Sequence, residues 1–170
     1  GEKKSSSFDG KKKFKSRSDR PKSFTFKEAA PLPSARNSVA SAQVNGRWFV
    51  LGGRTVGGEP ITDMLEYLPE KDTWQAHAAL PKARAGHAAA VIDNAITVFG
   101  GEHSKEVDRE VFSYDLTKQQ WRKTFEWQTP RHGLGAVTLN GEIWLVGGAT
   151  KVGLSETSRE VTSLRKLVEQ

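Results

Sequence analysis

The chain has 170 residues, a formal net charge of +6, 36% apolar residues and no cysteine, a size that suits one domain with a real core. Without cysteine there are no disulfides, thiolate metal sites or cysteine nucleophile, and the redox compartment stays open. No run approaches the roughly 18 apolar residues of a membrane helix, and the N-terminal lysines precede no apolar stretch, which excludes a membrane span and an uncleaved secretory signal.

The charge is unevenly placed. Residues 1–27 hold 10 Lys and Arg against 3 Asp and Glu, leaving 16 basic and 17 acidic residues beyond them. The basic pI therefore belongs to one tail, and only that tail carries a nucleic-acid or anionic-surface hypothesis. Residue 1 is Gly and the only methionine is Met64, so a processed chain or one cut from a longer protein is expected.

In chain order, residues 1–23 are dominated by Lys, Ser, Arg and Gly and are expected to be disordered, because they cannot bury enough apolar surface to offset ordering. The run Lys11, Lys12, Lys13, Phe14, Lys15, Ser16, Arg17 suits a nuclear address or an anionic RNA, lipid or protein surface, with a solvated linker as the plain alternative.

From Phe24 the sequence repeats itself. Arg36, Arg84 and Arg131 lie 48 and 47 residues apart, as do the pairs Gly52-Gly53, Gly100-Gly101 and Gly147-Gly148, with 16 residues from Arg to Gly in every copy. Between them stand Asn45-Gly46, Asp93-Asn94 and Asn140-Gly141, dipeptides that accept the positive φ of a two-residue hairpin. Tyr67 with Trp74, and Tyr114 with Trp121, follow the glycines seven residues apart. Phe26 precedes Pro33 by the seven residues that separate Trp74 from Pro81, so it takes the tryptophan slot of an earlier copy.

Each period predicts four short strands, such as His87 to Ile92, Ile96 to Phe99, Val111 to Tyr114 and one at the tryptophan. The last segment is ambiguous: Val161, Leu164, Leu167 and Val168 suit a helix face, while register favours a strand. The expected divisions are a leading outer strand over 24–29 and three blades over about 34–80, 82–129 and 130–170.

The spaced positions resemble the kelch repeat: Phe49-Val50-Leu51-Gly52-Gly53 with Tyr67 and Trp74, and Thr97-Val98-Phe99-Gly100-Gly101 with Tyr114 and Trp121. The resemblance covers about residues 24–165, with Leu164 in place of the third tyrosine. It implies an all-β fold of about three four-stranded propeller blades, half of a six-bladed ring or a fragment of one. Because propellers close with about 4 to 8 blades, a second copy, each lending its Phe26 strand to the other, or a longer parent chain is expected to close the ring.

The resemblance also implies that Gly52, Gly53, Gly100, Gly101, Gly147, Gly148 and the Tyr and Trp positions serve packing, and that the long loops after each diglycine hold protein partners. Arg54, Glu59, His103 and Lys151 are the nonrepeating loop candidates. Arg36, Arg84 and Arg131 are weighed as a positive ring around a channel, against an interblade hydrogen-bonding role favoured by their repetition.

His77, His87, His103 and His132 show no metal-ligand spacing, and no cofactor is expected. Galactose-oxidase-type chemistry needs a cysteine the chain lacks; iron-associated specifier proteins resemble the fold, but Glu59, Asp63 and Tyr67 do not complete their ligand series. The leading function is a non-catalytic protein-interaction scaffold, with a sialic-acid-type sugar mutarotase, or an assembly subunit anchored by the basic tail, as alternatives. The compartment is open, with cytoplasm or nucleus favoured.

Overall fold

A computed structural model describes residues 23–166. The basic tail, apart from Ser23, and Leu167 and Val168 lie outside the described residues. Every element is a strand, paired antiparallel, and no described helix is long and apolar enough to cross a membrane.

The elements are β1 (Arg36–Asn37), β2 (Ala40–Val44), β3 (Arg47–Leu51), β4 (Arg54–Thr55), β5 (Met64–Leu68), β6 (Thr73–Ala76), β7 (Ala85–Ile92), β8 (Ala95–His103), β9 (Glu106–Val107), β10 (Glu110–Asp115), β11 (Gln120–Glu126), β12 (Gly135–Leu139), β13 (Glu142–Val146) and β14 (Val161–Leu164). They build three main sheets: β2-β3-β5-β6, then β7-β8-β10-β11 with β9 hairpinned onto β8, then β12-β13-β14. The second sheet lies between the first and third.

Turn chemistry fixes the register. Asn45 and Gly46 adopt φ of 51° and 74°, Asp93 and Asn94 48° and 59°, Asn140 and Gly141 52° and 76°, the left-handed pairs that match hairpin twist. Trp48 then pairs Tyr67, Ile96 pairs Tyr114 and Ile143 pairs Leu164, so the third copy keeps the strand register despite losing its tyrosine. The helical alternative for Val161 and Leu164 is thereby excluded.

Two apolar cores fill the seams. Ala42, Val44, Leu51 and Met64 of the first sheet meet Ile96, Val98, Phe112 and Tyr114 of the second, with Trp121 against them. Ala90, Phe99 and Val111 meet Ile143 and Leu145 of the third, with Leu164 alongside. Removing such side chains from water contributes about 1.5–3 kcal/mol each.

Between sheets the backbone also bonds directly. Gly53 N donates to Arg84 O at 3.0 Å, Gly101 N to Arg131 O at 3.0 Å, Gly86 N to Ser38 O at 2.8 Å and Gly133 N to Gly86 O at 2.7 Å. A side chain at Gly52 would meet Arg84 O and His87 Cε1 at 2.6 and 2.8 Å. The first two diglycines are thus where one sheet's backbone touches the next.

The structure differs from the sequence expectation at the leading strand. Residues 24–29 form no strand, and Phe24 and Phe26 are exposed, because a strand exists only through a ladder with a neighbour and no described strand pairs with them. Beyond the small ribbon of β1 with β4, the blades hold four, four and three main strands among the described residues.

Candidate functional site

The repeated arginines are internal. Arg84 and Arg131 are 0% exposed. Arg84 Nη1 donates to Gly100 O at 3.1 Å and Glu110 O at 3.0 Å. Arg131 Nη1 does the same to Gly147 O at 3.0 Å and Glu160 O at 2.9 Å. Arg36 reaches Asp63 Oδ2 at 2.8 Å with its side chain buried. Each guanidinium therefore ties strands or loops of its own blade, while the interblade bonds come from backbone amides and, at Arg84 and Arg131, the arginine's own carbonyl. The expected interblade bond from the arginine side chains is thus replaced by bonds within each blade, and in this structure Arg84 and Arg131 line no open positive ring because both are buried; Arg84 Nε and Nη2, Arg131 Nε and Arg36 Nη1 are buried without a hydrogen-bond partner.

The loops after the diglycines form one connected edge. Arg54 Nη2 approaches Glu102 Oε1 at 3.4 Å across the first seam. Glu102 Oε2 accepts from Gly153 N at 3.0 Å across the second, with His132 Nε2 at 3.5 Å. His132 Nε2 also lies 2.8 Å from Lys151 O. Glu102, absent from the sequence candidates, thus joins three loops. Its signal was present: it occupies, 48 residues on, the repeat position of Arg54, so opposite charges meet at one seam.

Lys82 is a second missed residue, at 2.8 Å from Asp108 Oδ1 and 3.4 Å from Glu106 Oε1. Burial opposes its charge, but Asp108 and Glu106 outweigh that and raise its pKa above the ordinary lysine value. His103 Nδ1 stands 3.3 Å from Glu106 O and its Nε2 3.4 Å from Glu106 Oε1. Lys151 pairs with Glu156 at the exposed tip of the third loop. Glu59 is exposed, and its carbonyl accepts from Thr55 N at 3.1 Å. The loops also lift Val56 and Leu154 into solvent at 93% and 96% exposure.

Chemistry within the body is muted. His87 is buried between Arg84 and the diglycines with both ring nitrogens unpartnered, and burial followed by the Arg84 charge lowers its pKa to about 3. Glu66 accepts a bidentate pair from Arg47 at 2.7 and 2.8 Å and faces His77 Nε2 at 2.8 Å. The Arg47 bond, chiefly, holds its pKa below the ordinary value. Among the described residues no His, Asp and Glu group is arranged for a metal ion.

Antiparallel four-stranded units, diglycine seams and buried Arg-to-Gly clamps define a repeat-built β-propeller. A family model for the KLHDC2/KLHL20/DRC7 Kelch-repeats domain matches residues 3–164, and the chain belongs to the kelch-repeat family. It is similar to Kelch-like protein 35 of Mus musculus, 30% identical over 153 residues that cover 89% of this chain and 26% of that protein. Beta-scruin of Limulus polyphemus is 29% identical over 132 residues, covering 74% of this chain and 14% of that protein. Kelch-like protein terF of Aspergillus terreus is 29% identical over 132 residues, 74% of this chain and 29% of that protein. The chain thus spans under a third of the length of these curated relatives.

Proposed function

We propose that this chain is a non-catalytic protein-interaction module that holds a partner on the edge formed by its post-diglycine loops. The observation that carries the reading is the contrast along the repeat. The residues that recur in every blade are consumed by packing, whereas the nonrepeating loops are fixed to one another through Glu102 and present exposed apolar tips, Val56 and Leu154, flanked by Glu59 and Lys151. Apolar residues rimmed by charge on a rigid scaffold suit a protein surface better than a small substrate.

Residues 24–170 are read as the propeller part and 1–23 as a separate basic arm, whose contribution is a salt-dependent attraction to anionic surfaces. Affinity capture with three proteins tests the loop reading: the native sequence, a variant with Val56→Asp, Lys151→Glu and Leu154→Asp, and one altered at Asn45, Asn94 and Asn140 on the hairpin edge. Partners lost only with the loop variant support it. Partners lost only with the hairpin variant, or unchanged by the loop variant, refute it.

A further inference from the structure

The middle hairpin turn breaks the repeat. Gly46 and Gly141 hold the second turn position at φ of 74° and 76°, but Asn94 stands there in the middle copy, at φ 59°. A side chain in that left-handed region carries a cost that glycine avoids. Asn94 offsets it by spanning the first seam. It accepts from Asn45 Nδ2, in the turn of the first blade, at 2.6 Å, and its own Nδ2 donates to Thr117 Oγ1 at 3.3 Å. The Thr117 turn is itself braced, because Asp115 Oδ1 accepts from Thr117 N and Lys118 N at 2.9 Å each. Asn45, Asn94 and Thr117 therefore latch the first two blades at the strand ends opposite the diglycines.

The first link of that latch is chemically labile. Asn45 is followed by Gly46, both are exposed, and a Cβ on Gly46 would meet nothing within 4 Å. With no side chain to shield it, the Gly46 amide nitrogen can reach Asn45 Cγ once the carboxamide swings free. That nitrogen then loses its proton and bonds to Cγ, the bond from Cγ to Nδ2 breaks, and ammonia leaves carrying the proton. Water opens the resulting cyclic imide at Cγ to give aspartate, or at the main-chain carbonyl carbon to give isoaspartate. Asn94 is followed by Ala95 and Asn37 by Ser38, whose Cβ atoms hinder the same step.

We propose that Asn45-Gly46 is a self-modifying site at the first seam, restrained by Asn94, whose conversion releases the latch. While it is bonded to Asn94, the carboxamide is not free to turn onto its own backbone. Either product loses the Nδ2 donor and sets a carboxylate oxygen against Asn94 Oδ1, acceptor facing acceptor. Isoaspartate also adds a methylene to the main chain inside the turn that pairs Val44 with Arg47. Arg47 carries the bidentate bonds to Glu66, so the disturbance passes into the buried part of the first blade. The change lies at the hairpin edge, away from the post-diglycine loops, and is independent of the binding role proposed for them.

Peptide mapping by mass spectrometry tests the site, on the full chain held in warm, mildly alkaline buffer with and without guanidinium chloride. The expected result is deamidation at Asn45, slower in the native chain than in denaturant. Asn94→Gly, which removes the acceptor and suits the left-handed turn, raises the native rate at Asn45 by about fivefold or more, the factor set by one net hydrogen bond. It leaves the rate in denaturant unchanged. Asn45→Asp, a stand-in for the converted chain, raises amide exchange at Val44, Arg47 and Asn94. Equal rates in native and denatured chains overturn the proposal, as does a native rate that ignores Asn94→Gly. Parent-like exchange in Asn45→Asp overturns the latch.

Discussion

Arg84 clamps the carbonyl of Gly100 from sixteen residues away, and Arg131 repeats the clamp on Gly147. In these two copies the sixteen-residue spacing is thus a bond from the entry of one inner strand to its neighbour, whereas Arg36, at the same spacing from Gly52, reaches Asp63 Oδ2 instead. Replacing Arg84 by Met leaves the Gly100 and Glu110 carbonyls without their donor inside the seam, and should cost about 3 kcal/mol or more. Urea denaturation against the parent measures it.

The diglycine seam makes a paired prediction. Gly100 and Gly133 have nearly the same φ, 62° and 63°, but a Cβ on Gly100 would collide with Arg131 O whereas one on Gly133 meets nothing. Gly133→Ala should lose only about 1 kcal/mol for the left-handed backbone. Gly100→Ala should lose several times that, because the second blade must move away from the third. Thermal melts of the two variants separate backbone strain from contact.

His87 predicts acid sensitivity of a particular sign. Its native pKa lies near 3, below the ordinary 6.5, so the unfolded chain takes up the proton first. Its neutral form costs nothing above about pH 6.5, and stability falls as pH drops from there toward 3, by about 2 kcal/mol at pH 5. His87→Leu, the residue the third copy places at this position as Leu134, should flatten that limb in denaturation curves taken from pH 7 to 4.

Glu66 acts at lower pH. Its pKa is held down by Arg47, so its contribution is present above the ordinary carboxylate value and disappears as pH falls through the lowered one. Glu66→Gln should destabilise the first blade by about 1–3 kcal/mol near neutrality. The native chain should converge with the variant in strong acid, leaving the His87 limb intact in both.

Glu102 predicts a local rather than a global effect. Glu102→Ala removes the acceptor of Gly153 N and the partner of Arg54, both at the surface, so global stability should change by less than about 1 kcal/mol. Amide exchange at Gly153 and its neighbours should rise, and partner capture weaken, since the loops then reorient independently. Unchanged exchange at Gly153 would contradict a shared anchor.

The periodic part of the fold was legible because each repeated residue answers a backbone demand: Asn45-Gly46 a left-handed turn, Gly52-Gly53 a close approach, Trp74 and Trp121 a bond to the neighbouring chain. The strand at Val161 to Leu164 was legible from register alone. The site was less so. Glu102 looks like any loop acid until Arg54 is seen one period earlier, and Arg84's burial depends on carbonyls that no side-chain pattern displays. The segment around Phe26 has the sequence of an outer strand, yet strand structure is a property of two segments in contact, and no described strand pairs with it.

The stacking order of the three sheets has a thermodynamic consequence. In a nearest-neighbour array, stability is the sum of blade terms and seam terms. The second sheet shares a seam with each neighbour, whereas the first and third share one apiece among the described residues, and Val137, Leu139, Val146 and Val161 of the third are 50–59% exposed. Amides of the second blade should therefore exchange slowest under native conditions and those of the third fastest, which hydrogen exchange measures.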